Sequence, residues 1–390
     1  MTNMSILQSA RLDDVIQHKA SLSRKSERRY PGNGVVCLEH DMTVSQALKL
    51  LAKHRILSAP MVVSPSPLED QETEAASAGT IGYNRPSLAG WCDISDILNG
   101  LINQMRKLHP DGKLPTNLLR LMSELDKESK IFINRTLMEI AVGDDKSFMY
   151  ESERESSLLE ALRGTFLNNG GIPGRVVHRV ALFDPQGQVS CIVSQLDIIK
   201  FIASREKDIL GSIASKTIQE LGLISEGSQK RLVCLDPHTP TLLALERMKE
   251  VAGVSGAAVV SPQTGCIIAN LSLSDLRLIT PEHFSVLALP VAEFLALLHN
   301  TSYLGYSQKA SDPGAHPFFA QGPRSVGGDE QDEVPLYTCS KTSTLQEVLH
   351  ILADRSVHRV YVVDQDARPN VIGVLTPTDL LKWISSQGPK

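Results

Sequence analysis

The sequence predicts an α/β protein built from four copies of one short β-α-β-β-α unit. The first observation is a near repetition. VHRVYVVDQDARPNVIGVLTPTDLLKWI at 357–384 and VHRVALFDPQGQVSCIVSQLDIIKFI at 177–202 share one order: Val-His-Arg, an apolar strand, a polar turn, a second strand, Ser or Thr, two residues, Asp, then an apolar helix. The second is that weaker copies fill the rest of the chain, a test to apply before any fold is assigned. One is VVCLEHDMTVSQALKLLAKHRILSAPMVV (35–63) with AGWCDISDILNGL (89–101); the other is LVCLDPHTPTLLALERMKEVAGVSGAAVVSPQTGCIIANLSLSDLRLI (232–279).

The fourth copy shows each element most clearly. Leu345, Val348, Leu349 and Leu352 recur at i, i+3, i+4 and i+7, the stripe of an amphipathic helix. Val360 to Val363 is a β-rich run, Asp364 to Asn370 supplies turn residues, and Val371 to Leu375 returns as the second strand. A helix from Pro377 to about Ile384 closes the unit. Upstream of each copy lies a lead-in with an acid among apolar residues: LDDVI (12–16), TLMEI (136–140), TIQEL (217–221) and PVAEF (290–294), each assigned here to the copy that follows it. A three-stranded sheet with helices on one side leaves apolar surface uncovered, so the units should pair, first with second and third with fourth.

The resulting boundaries are 1–34 as an amino-terminal lead-in, 35–101 as repeat 1 with an insert at 64–88, and 102–135 as a linker with an extra helix. Repeat 2 covers 136–204, repeat 3 covers 212–280, 281–336 is a lead-in with a flexible insert, and repeat 4 covers 337–386. The inserts are rich in Ser, Pro, Gly and acids, a composition that favours loops.

Composition sets further bounds. A formal net charge of -5 and 21% charged residues argue against a nucleic-acid backbone as the main partner, since such proteins concentrate Lys and Arg. No run of apolar residues is long enough to span a bilayer, and the start, MTNMSILQSARLDD, lacks the apolar core of a secretory signal. The six scattered cysteines have no metal-ligand or redox spacing and read as small buried hydrophobes in a reducing compartment. The expected location is cytosol or nucleus. The basic run HKASLSRKSERRY (18–30) reads as a solvated terminus.

Two constellations carry candidate chemistry. The Ser/Thr-x-x-Asp starts of the closing helices (Ser194/Asp197, Ser272/Asp275, Thr376/Asp379 and, with Asp in the first place, Asp93/Asp96) are sound helix caps. A capping box prefers Glu or Gln at its last position, and all four copies use Asp. A short carboxylate at a helix start can also take both hydroxyls of a ribose, so capping and sugar binding both stand. The second constellation is His178-Arg179 and His358-Arg359, each at a strand entry. A single pair reads as a solvated rim. Two pairs related by pseudosymmetry would converge and repel unless an anion joined them, each charge-assisted bond to it contributing on the order of 1.5–3 kcal/mol.

On these residues the chain resembles CBS repeats. Four such repeats with His-Arg only in the second and fourth resemble the gamma subunits of AMP-activated and sucrose-non-fermenting-type protein kinases. The resemblance implies two Bateman modules forming a pseudo-fourfold disc, with AMP, ADP or ATP in clefts around the centre and no cofactor, metal or catalytic residue. It implies phosphate binding by His178, Arg179, Lys200, Ser255, His358 and Arg359. Ribose contact would fall to Asp96, Ser194, Asp197, Ser272, Asp275, Thr376 and Asp379. It also implies kinase catalytic (alpha-type) and scaffold (beta-type) subunits as partners. The first repeat departs from the pattern: Leu57 and Ser58 fill the His-Arg slots, and Asp93 stands where Ser or Thr is usual. The expected function is therefore non-catalytic nucleotide sensing for a Ser/Thr kinase. The alternative is a stand-alone CBS scaffold, or a sensor of another adenosyl ligand such as S-adenosylmethionine. An enzyme has no Walker loop, nucleophile triad or metal cluster in its favour.

Overall fold

The computed structural model describes residues 4–25, 35–54, 56–63, 87–140, 148–168, 176–184, 189–224, 232–251, 253–279, 281–299, 336–364 and 370–387. Nearly all of both inserts, 64–88 and 302–334, and the end of the basic run lie outside them. Among the described residues, twelve strands form four three-stranded sheets. In chain order they are β1 (Leu38–Glu39), β2 (Ser58–Val63), β3 (Ser87–Asp93), β4 (Phe148–Tyr150), β5 (Arg179–Phe183), β6 (Val189–Ser194), β7 (Cys234–Leu235), β8 (Gly256–Val260), β9 (Ile267–Ser272), β10 (Thr338–Ser340), β11 (Val360–Val363) and β12 (Val371–Leu375). Every sheet has its second strand in the middle, parallel to the first and antiparallel to the third.

The repetition extends to a defect in the ladder. The register shifts at Met61/Val62, Leu182/Phe183, Val259/Val260 and Val362/Val363, in each case three residues after Ser58, Arg179, Gly256 and Arg359. A bulge at one place in four sheets marks a shared bend, since an extra residue there twists the strand away from its partner.

The lead-ins sit on different units from those the sequence suggested. Residues 136–140 complete the first unit: Val44 donates to the Arg135 carbonyl at 2.9 Å and Leu137 donates to Met42 at 2.9 Å. The amino-terminal segment instead completes the second, with Leu12 donating to Ser156 and Leu158 to Ala10. In the other half, residues 216–218 bond to Ser343 and Leu345 of the fourth unit, and 289–291 bond to Thr239 and Thr241 of the third. Each lead-in thus crosses to its neighbour within the same pair. The physical reason is continuity. For residues 136–140, the extra helix Leu118–Phe132 buries Leu121, Leu125 and Phe132 in the apolar cluster that the first unit shares with the third, with Phe132 beside Gly100, so the chain is still next to the first unit when it reaches Leu137. The lead-in acids cap their own turns: Thr136, Thr217 and Arg11 amides donate to Glu139, Glu220 and Asp14.

The apolar cores join the units the other way. One cluster runs through the first and third units, from Leu38, Leu51 and Ile97 to Leu245, Ala269 and Phe294. A second joins the second and fourth units with the amino-terminal helices, including Leu12, Ile198, Phe201, Leu349 and Leu381. The sheet faces of the third and fourth units meet through Ala258, Ile267, Tyr361 and Val374. All four units therefore close on one another. Of the cysteines, Cys92 and Cys339 are buried thiols and the other four are partly exposed, so burial accounts for only these two.

Candidate functional site

The four units meet around a cavity of about 120 Å³. Its wall holds both His-Arg pairs (His178, Arg179, His358, Arg359) together with Ser255, Ser194, Thr376 and Asp379, and the first unit contributes Leu57 and Asp93. The second and fourth copies are brought together by a buried contact at their helix starts: the Thr378 hydroxyl donates to Gln195 Oε1 at 2.7 Å, and Gln195 Nε2 donates to the Val177 carbonyl at 3.0 Å. The convergence required by pseudosymmetry is therefore present.

Each arginine lies against the opposite unit of its pair. Arg359 Nη2 donates to Ser255 Oγ at 2.8 Å and Nη1 to Asn270 Oδ1 at 3.1 Å, while the Tyr361 hydroxyl donates to the same Asn270 oxygen at 2.7 Å. Gly256 makes this possible, because a Cβ there would lie 1.5 Å from Arg359 Nη1. Arg179 Nη1 donates to Ser58 Oγ at 2.5 Å and sits 3.6 Å from Asp93 Oδ2. One arginine crosses in each pair, into the gap left by a small residue. This accounts for the alternation of His-Arg with Leu-Ser and Ser-Gly. Asn270, Tyr361 and Gly256 were not singled out by sequence, and the alternation was the signal that could have pointed to Gly256.

The clustered cations act on one another. Desolvation by the surrounding protein, then Arg179, Arg359, His178 and Lys200, lowers the His358 imidazole below its ordinary value, with the side chain still exposed on one face. Lys200 reaches this field without lining the cavity.

All four Asp positions form capping boxes. Asp96, Asp197, Asp275 and Asp379 accept from the amides of Asp93, Ser194, Ser272 and Thr376 at 2.7 to 2.9 Å. Of these Asp residues only Asp379 also borders the cavity. Asp275, largely withdrawn from solvent, is pushed up to about 7 by desolvation against the opposing pull of the Ser272 amide, Arg359 and Arg277. Asp197 is covered by a lysine: Lys19 Nζ lies 2.9 Å from its Oδ2 and donates to the Ile192 carbonyl at 2.7 Å. The basic run is thus helical through Lys25, and its Lys19 is docked rather than solvated. Trp91, in the position Asn270 holds in the third unit, is 5% exposed with no partner for Nε1. Among the described residues no group of three or more His, Cys, Asp or Glu could hold a metal, and no helix is long and apolar enough to cross a membrane.

The fold is one of paired CBS-like sheet-and-helix repeats. A CBS-domain family model matches residues 332–386. The chain is similar to Protein SDS23 of Phaeosphaeria nodorum, 24% identical over 87% of this chain and 53% of that one. It is also similar to an Arabidopsis thaliana SNF1-related protein kinase regulatory subunit gamma-1-like protein, 28% identical over 47% of this chain and 35% of the relative. It spans about a third to a half of the length of these curated relatives. Among solved structures, protein MJ1225 of Methanocaldococcus jannaschii, described as an archaeal homologue of g-AMPK, superposes with a TM-score of 0.54 at 14% identity, covering 92% of this chain and 98% of that one. That likeness extends the CBS fold to all four units.

Proposed function

We propose that the chain is a non-catalytic sensor of adenine nucleotides, with AMP, ADP and ATP competing for the central cavity, and that it regulates a Ser/Thr protein kinase through catalytic and scaffold subunits in the cytosol or nucleus. The carrying observation is the convergence of His178, Arg179, His358 and Arg359 on one cavity wall. Two half-buried guanidinium groups with an imidazole beside each, gathered on one wall, are stabilised by an anion, and a phosphate matches guanidinium donors in geometry as well as charge. At about 120 Å³ the cavity is smaller than the roughly 300–1,000 Å³ of ordinary ligand pockets. It suits the phosphate end of a nucleotide, with the ribose directed toward Asp379 and Thr376. Discrimination then follows from the number of phosphates the cluster must hold, since a ligand shifts an equilibrium only by its differential affinity for two states. The named functions of the SNF1-related and g-AMPK relatives support the kinase assignment.

A second reading is favoured by Asp93. A carboxylate 3.6 Å from Arg179 on the cavity wall opposes a phosphate and would suit a cationic adenosyl ligand such as S-adenosylmethionine. Calorimetric titration with AMP, ATP and S-adenosylmethionine separates the two. Phosphate recognition predicts AMP binding that Arg359→Ala or Arg179→Ala weakens at least tenfold, about 1.4 kcal/mol or more per charge-assisted bond. Unchanged affinity in both variants would remove the phosphate cluster as the site.

A further inference from the structure

Three positions of the repeat can be compared across the second and fourth units. Ser194 and Thr376 are the caps, Asp197 and Asp379 the capping acids, and Ile192 and Val374 lie two residues before the caps on the returning strands. In the fourth unit Val374, Thr376 and Asp379 all line the central cavity. In the second only Ser194 of the three equivalents does. The Ile192 carbonyl and the Asp197 carboxylate are instead both bonded by one ammonium, Lys19 Nζ, at 2.7 and 2.9 Å.

The lysine is delivered by a built element. The helix Leu12–Lys25 starts as the lead-in of the second unit and continues beyond it over the unit's closing helix, where His18 packs edge-on against Phe201 with ring centroids 6.0 Å apart. Arg154 Nη2 pairs with Asp13 at 2.6 Å and fixes the first turn of the same helix. Asp197 has only 15% of its side chain exposed. A carboxylate that withdrawn needs a partner, and Lys19 supplies it together with the Ser194 hydroxyl, which donates at 2.7 Å.

We infer that the amino-terminal helix is an internal occupant of the second unit's cleft, with Lys19 standing where the fourth unit presents Asp379 and the Val374 strand to a ligand. The cleft chemistry beneath it is that of a ribose site, a carboxylate beside a strand carbonyl, so displacing the lysine opens a second nucleoside site. This inference rests on the nucleotide reading of the central cavity. Any event that removes the Lys19 charge or draws the helix away would add a binding site, making the helix a competitor in cis.

The test is AMP titration of the full chain, comparing the parent with Lys19→Ala and Lys19→Gln, the latter keeping length without charge, after thermal melts show that each is folded. One more AMP per chain in both variants than in the parent, lost again when Asp197→Asn is added, supports internal occupancy. The same number of sites in parent and variants overturns it. If the parent binds one AMP and the variants also bind one, internal occupancy falls while the nucleotide reading of the central cavity stands. If none binds in any of them, the nucleotide reading falls with it. If the parent binds none and the variants bind one, internal occupancy stands and the central cavity is not the nucleotide site.

Discussion

Gly256 decides where Arg359 can lie. With hydrogen as its side chain, the guanidinium reaches Ser255 and Asn270 across the sheet interface; with a methyl group it would be displaced. The clashing atoms are the far end of a flexible side chain, so Gly256→Ala should cost modest stability, about 1–3 kcal/mol from the lost charged hydrogen bonds, while weakening AMP binding as strongly as Arg359→Ala. Melting curves and titrations measured side by side would check this. Asp275 offers a pH test. Its carboxyl is raised from 3.8 to about 7 in the folded state, with desolvation the leading cause, so folding favours the protonated acid. The corresponding stability is fully present below about pH 4, declines as pH rises, and is gone above about pH 7. Asp275→Asn keeps an acceptor for the Ser272 amide and carries no charge. Relative to the parent it should gain stability between pH 5 and pH 8, up to the order of 4 kcal/mol, as read from denaturant midpoints at each pH. A parent and variant with parallel pH profiles would contradict the assignment.

At the scale of elements, the helix that precedes each His-Arg slot must end abruptly to aim the next strand at the cavity. In the third unit Gly253 makes the turn with φ +77°, and in the fourth Ser356 occupies the same position with φ +53°. A left-handed conformation costs an ordinary residue roughly 1–2 kcal/mol, partly offset by the greater entropy a glycine loses on folding. Ser356→Gly should therefore stabilise the fold by up to about 1 kcal/mol without altering ligand affinity, as judged by thermal melts.

The same elements show what the sequence could and could not convey. The strand and helix order of the fourth unit, the caps at Thr376/Asp379 and Ser194/Asp197, and the meeting of the two His-Arg pairs were legible because each depends on local spacing or on repetition. The destination of the lead-ins was not. All four units expose the same kind of apolar edge, and nothing in TLMEI or TIQEL says which unit of its pair it completes. Lys19 was hidden for a related reason: a lysine within a basic run gains its meaning from Asp197, 178 residues away in sequence. Asn270 and Trp91 escaped notice because equivalent positions of the repeat are filled by unrelated residues once each pair of sheets solves its own packing.

On the scale of the whole molecule, two kinds of bond connect the units in two different directions. Backbone exchange through the lead-ins ties first to second and third to fourth, whereas the large apolar clusters tie first to third and second to fourth. Scission of the peptide chain between residues 205 and 216 would leave every exchanged lead-in with its recipient but strip each half of the surface completing its two cores. Either fragment alone should be poorly ordered by circular dichroism. Mixed in equal amounts, the two should restore the parent spectrum and elute as a single one-to-one species, whereas a half that folds unaided and stays monomeric would mean that the seam between halves is a secondary docking contact.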